Sequence, residues 1–196
     1  MDKILQTLES GEAVILPTET VYGLFAKALD EAAVNNVYKL KKRPRDKALN
    51  LNVADLATIY AYSKEQPAFL EKLYQSFLPG PLTIILKAND KVPFWINSGM
   101  ETVGFRVPAY TPTLDIIGKS GILIGPSANI SGTASGQIFK EIQAEFQENL
   151  LGIEDDAALT GLDSTILDVS GKKARILRQG AITKEMLLEK VPELEF

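Results

Sequence analysis

The chain has 196 residues, 45% of them hydrophobic and 23% charged, with 21 basic against 25 acidic side chains and a formal net charge of −4. That is enough apolar material for one globular domain, residues 1–196, with a substantial core. Cysteine and histidine are both absent, which excludes disulfides, thiolate or imidazole metal sites, and Ser-His or Cys-His nucleophilic pairs.

The remaining polar side chains suit the binding and orienting of anions better than covalent catalysis by a protein nucleophile. No run of eighteen apolar residues occurs, and "MDKILQTLESGEA" has amphipathic helical spacing rather than the pattern of a secretory signal. A cytoplasmic protein without a membrane segment is expected, and the sequon at Asn129 to Ser131 is then a coincidence.

In chain order, Ile4, Leu5 and Leu8 before Gly11 predict a first helix over 2–10, and "AVILP" a short buried strand. Asp30 is placed to cap a helix that must end before Pro44. "ALNLNV" alternates as a half-buried strand, and two short helices follow near Leu56 to Tyr62 and Pro67 to Phe77. "PGPLTIILKA" passes from turn residues into a strand, "TVGFRVP" is another, and "TPTLDIIGKSG" is a helix stopped by Gly121. "ILIGPSANISG" is a buried strand opening into a loop of small residues. A helix near Gln137 to Leu150, strands "DSTILDV" and "KARILR", and a helix from Thr183 complete the chain. Those last two strands are joined too briefly for a helical crossover, so the fold class is α/β with a mixed parallel and antiparallel sheet flanked by helices.

Four polar clusters lie at the ends of apolar elements: "PTETVYG", "KKRPRDK", "PSANISG" and "DSTI". Ligands of open α/β sheets collect where such loops converge, so a composite site is expected. Six of the 21 basic residues fall between Lys39 and Lys47. They could grip phosphate or carboxylate oxygens, or simply complement the end of a helix dipole, although six exceed what a dipole needs. The "GKS" at Gly118 to Ser120 is no phosphate loop, because Thr113 stands where the required glycine would be. Arg106 sits within an apolar strand, where an unpaired guanidinium is costly unless the position is an exposed edge. Asp163 and Ser164 could be turn residues, Arg178 a surface charge, and Trp95 a core or lid anchor.

Taken together, "PTETVYGL", Lys41 and Arg43 as a K-x-R element, "PGPLT", "FRVP", Ser127 and Asn129 as an S-x-N element, "DSTI" and "ILRQGAI" resemble the YrdC/Sua5 family of threonylcarbamoyl-AMP synthases in its short form, without the C-terminal domain of longer members. The resemblance implies a twisted, YrdC/RibB-like sheet. It also implies a nucleotidyltransferase that combines L-threonine, bicarbonate or CO2, and ATP with Mg²⁺ into threonylcarbamoyl-adenylate and pyrophosphate. A separate transferase then uses the adenylate to modify tRNA. Carried over residue by residue, Lys41 and Arg43 would be catalytic. Thr20, Arg106, Ser127 and Ser164 would meet threonine, and Arg43, Lys47, Thr102, Asn129 and Arg178 would meet ATP, with no protein metal ligands. Where the family commonly shows Pro-Leu and then a histidine after the K-x-R loop, this chain has Ala48-Leu49 and then Asn52. Two rival readings are a tRNA or double-stranded RNA binding module and a regulator that senses ATP or an amino acid.

Overall fold

The computed structural model describes residues 1–146 and 150–196. Helix α1 (Asp2–Glu9) turns Ile4 and Leu8 inward. Strand β1 (Val14–Pro17) is buried at every position and forms an antiparallel hairpin with β2 (Tyr22–Lys27). The sequence did not announce β2, because a strand buried on both faces lacks the alternation that marks a half-exposed one. Val14 and Leu16 face a smaller core shared with α1, whereas Ile15 faces the main core.

Asp30 accepts from the N–H groups of Ala32 and Ala33 and so starts helix α2 (Glu31–Leu40). The next elements are β3 (Leu51–Asn52), α3 (Leu56–Tyr62), β4 (Ser63–Lys64), α4 (Leu70–Phe77) and β5 (Leu82–Ala88). Then come α5 (Phe94–Asn97), β6 (Thr102–Arg106), α6 (Thr111–Ser120) and β7 (Leu123–Ile124). Trp95, on α5, packs against the main core and donates its indole N–H to Ala28 O at 3.0 Å. Helix α7 (Phe139–Glu145), β8 (Thr165–Asp168), β9 (Arg175–Arg178) and α8 (Lys184–Lys190), capped by Thr183, complete the order. The end of the helix expected near Gln137 to Leu150 falls partly on 147–149, outside the described residues.

Among the described residues the strands form one sheet in the order β1-β2-β7-β3-β6-β5-β8-β9, with β4 paired to the end of β5. The pairs β3–β6 and β5–β8 are parallel and the others antiparallel. The mixed sheet is therefore as the short β8–β9 connection requires. No helix among the described residues is long and apolar enough to cross a membrane.

Candidate active site

Register builds the site. Asn52 pairs with Arg106, Arg106 with Thr83, Thr83 with Ile166, and Ile166 with Arg178, so one cross-strand row runs through β3, β6, β5, β8 and β9. Directly paired residues share a face of the sheet, and all five line one hollow of about 230 Å³. At about 4.8 Å per strand the row is roughly 19 Å long. Arg43, Ser127, Asp163 and Ser164 close the hollow from the loops.

Arg106 is held by the "TET" loop. Its Nη2 donates to Thr20 Oγ1 at 2.7 Å, Glu19 Oε1 at 2.8 Å and Thr18 Oγ1 at 3.3 Å. Thr18 in turn ties the loop together through Thr20 Oγ1 and Val21 O. The guanidinium in the apolar strand is thus paired rather than exposed, while its Nε is buried with no partner among the described residues. A strap of chain, 151–161, lies over the loop: the N–H groups of Thr160 and Gly161 donate to the carbonyls of Glu19 and Thr20. Tyr22 secures the strap by donating to Asp156 Oδ1 and accepting from Asp155 N, and Tyr110 donates to Asp155 Oδ2. Burial first, and then the bond to Asp156, pushes the Tyr22 phenol well above its ordinary pKa; burial and the bond to Asp155 push Tyr110 up to about 12.

Lys41 is buried in the core and is not among the residues lining the hollow: it is 1% exposed, and its Nζ donates to Ser127 O and to Asn129 O. Its own carbonyl accepts from Ser131 N at 2.8 Å, so Lys41 clamps the whole S-x-N loop onto the end of α2. Between the two basic residues, Lys42 takes the left-handed conformation at φ 49°, a turn that sends Lys41 inward and Arg43 toward the hollow. Arg43 is fixed by bonds to Lys47 O and Ala48 O. Burial first, and then the charge of Arg43, lower the Lys41 pKa to about 8, with Glu145 acting the other way.

At the opposite wall Arg178 donates to Ser164 O and Ser164 Oγ, each at 3.0 Å, and Ser164 Oγ lies 3.2 Å from Thr83 Oγ1. Of the residues singled out from sequence, Arg43, Arg106, Ser127, Ser164 and Arg178 therefore meet in one hollow. Thr20 adjoins it through Arg106. Asn129 turns its amide into its own loop, onto Ile130 O and Thr133 O, leaving Oδ1 buried without a partner among the described residues. Lys47 is exposed, and Thr102 opens β6 four residues before Arg106, on the same face but roughly 13 Å away. Gly104 lies between them, and Asn50 occupies the space that a side chain there would need. Asn50, Thr83 and Ile166 also line the hollow without standing out in the sequence: the strands that carry or adjoin them are legible locally, but the register that aligns them is not.

Comparison with known proteins supplies the family. The family model for Sua5, YciO and YrdC proteins, described as "Telomere recombination", matches residues 6–180. The chain belongs to this family. A threonylcarbamoyl-AMP synthase of Pyrococcus abyssi is 36% identical over 189 residues, 95% of this chain and 56% of that protein. One from Bacillus subtilis is 36% identical over 183 residues, covering 92% of this chain and 53% of its own length. The chain thus spans about half the length of these Sua5/YrdC relatives. The crystal structure of P. abyssi Sua5 complexed with L-threonine superposes with a TM-score of 0.90 at 35% identity, over 97% of this chain and 57% of the other.

Proposed function

We propose that this Sua5/YrdC chain is an L-threonylcarbamoyladenylate synthase acting in the cytoplasm, a nucleotidyltransferase that makes threonylcarbamoyl-AMP and pyrophosphate from L-threonine, bicarbonate or CO2, and MgATP. The observation that carries the reading is the row of Arg106, Thr83 and Arg178 facing Arg43 and two serines across one hollow. The names of its relatives, and the threonine bound by a structure of the same fold, support it.

On this reading threonine's amine adds to CO2, and the carbamate oxygen attacks the α-phosphorus of ATP as pyrophosphate leaves. The substrates supply the nucleophile and the leaving group, so a protein without histidine or cysteine suffices. Arg106 receives the amino-acid carboxylate, having only Nη2 engaged by protein atoms among the described residues. Thr20 acts on threonine through Arg106, and Ser127 and Ser164 orient it. Arg43 and Arg178 take phosphate oxygens by charge-assisted bonds. A nucleotide lying along β6 would reach Thr102, with Lys47 and Asn129 beside its path. Among the described residues no group of three or more acidic side chains is placed to hold a metal ion. Mg²⁺ would enter with ATP, as part of the MgATP substrate. The adenylate is labile and would pass to a separate tRNA-modifying transferase.

The test is a single mixture of purified protein, ATP, L-threonine and bicarbonate, assayed for pyrophosphate and a new adenylate. Both should appear, and Arg43→Ala should lower the rate roughly 100-fold with little change in melting temperature. Binding of ATP and threonine without pyrophosphate would support a sensing role instead.

A further inference from the structure

We infer that Asp163 recognises the α-ammonium group of the amino-acid substrate and is the side chain that separates an amino acid from the corresponding hydroxy acid. This rests on reading the hollow as an amino-acid and nucleotide site. Among the described residues Asp163 is the one carboxylate lining a hollow that otherwise presents three arginines. Facing a polyphosphate, such a group is unfavourable unless a cation from outside the protein meets it.

The bland alternative is that Asp163 serves to steady Arg178. The geometry argues against it. Asp163 Oδ2 lies 3.7 Å from Arg178 Nη1, beyond hydrogen-bond distance, and both side chains are about two-fifths exposed, a setting in which ion pairs contribute little. Arg178 is in any case held by Ser164 through two bonds of 3.0 Å. Glu19, the carboxylate paired with Arg106, has both oxygens engaged, one by Arg106 Nη2 at 2.8 Å and the other by Ala109 N at 2.9 Å. An incoming ammonium therefore finds one acidic acceptor with its hydrogen-bonding capacity open.

Its position fits the same role. Asp163 precedes Ser164, which would orient threonine, in the chain, and its Oδ2 lies 3.7 Å from Nη1 of Arg178, which would take phosphate, so it adjoins both halves of the hollow. Its backbone is fixed, since Ala181 N donates to Asp163 O at 3.3 Å and Gly180 packs directly against it. Carbamate formation takes two protons off the ammonium, RNH3+ + CO2 giving RNHCOO− + 2 H+, both released to the solvent that reaches the two-fifths-exposed Asp163, and the one N–H that is left keeps the contact with the carboxylate through adenylation.

The experiment measures calorimetric binding of L-threonine and of its deaminated analogue, 2,3-dihydroxybutanoate, to the wild-type chain, Asp163→Asn and Asp163→Ala. The KM for ATP and the Mg²⁺ requirement are followed in parallel. Threonine affinity should fall roughly tenfold or more in both variants, while the analogue binds wild type and Asp163→Asn within about twofold. ATP KM and Mg²⁺ requirement should not move. Unchanged threonine affinity, or a shifted Mg²⁺ requirement with threonine affinity constant, would overturn the assignment. Because threonine binding is read directly, a wild-type chain that binds threonine but makes no adenylate would sink the synthase reading and leave this one standing.

Discussion

Lys41 places an ammonium group where the chain has almost no water to offer it, and two carbonyl oxygens from the S-x-N loop take over that solvation. Removing the donor strands both carbonyls. Lys41→Met, which keeps most of the stem, should cost about 2 kcal/mol, and Lys41→Ala, which also opens a cavity, about 3 to 5 kcal/mol. The pH dependence carries a sign. Folding lowers the Lys41 pKa from 10.5 to about 8, so between those values the unfolded chain binds more protons than the folded one. Stability from this group is fully present above the unfolded pKa and is lost as pH falls through the folded one. Urea unfolding followed from about pH 7.5 to about pH 10 should show wild type gaining stability relative to Lys41→Met as pH rises. A difference that stays flat, or one that shrinks, would show that the buried ammonium keeps its ordinary affinity for protons.

Strands β8 and β9 hold the Ser164 and Arg178 wall together, and the turn after β9 shows how little freedom that wall has. Thr165 Oγ1 donates to Ile182 O and accepts from the N–H groups of Gly180 and Ile182. A Cβ at Gly180 would fall on the carbonyl oxygen of Asp163 and within 2.5 Å of Ser164 C and Thr165 N, all backbone atoms that cannot swing away. Gly180→Ala should therefore destabilise by about 2 kcal/mol or more and lower activity, because separating β8 from β9 moves both site residues. Gly118→Ala is the matched control: nothing lies within 4 Å of its Cβ position inside α6, so it should be neutral or stabilise by up to about 1 kcal/mol. Thermal melts of the two variants beside wild type distinguish these outcomes. The same elements mark what sequence could convey. Asp30 as a cap, Gly121 as a stop and the short β8–β9 link are local signals, and each is found in the fold. Strands β3 and β7 are legible in "ALNLNV" and "ILIG", but each pairs over only two residues and nothing local says which strands they join, and whether Lys41 or Arg43 faces inward turns on one left-handed residue, Lys42, which no pattern of hydrophobicity marks.

Across the whole molecule the site exists because nonlocal pairing aligns residues 52, 106, 83, 166 and 178 in one row. The arginines had been conspicuous as charges, but only the strand order makes them neighbours. That alignment sets a concentrated positive wall in a chain whose net charge is −4. Long-range attraction cannot then be what draws ATP in, since a polyanion approaching from a distance meets a net negative body. Attraction must act at short range, through Arg43 and the half-exposed Arg178 at the mouth of the hollow, and such contacts with solvent nearby are weakened by added ions. Threonine, a zwitterion held by the interior guanidinium of Arg106, which is 12% exposed, as well as by the more open Asp163, feels less of that screening than a polyphosphate held at the mouth. Raising ionic strength from about 0.1 M to about 1 M, which shortens the Debye length from about 10 Å to about 3 Å, should raise the KM for ATP several-fold and the KM for threonine by less than about twofold. Steady-state kinetics at fixed Mg²⁺ would measure both. Equal sensitivity of the two constants would mean that both substrates bind through contacts equally open to solvent, in which case the division of the hollow into a nucleotide mouth and an amino-acid interior would not hold.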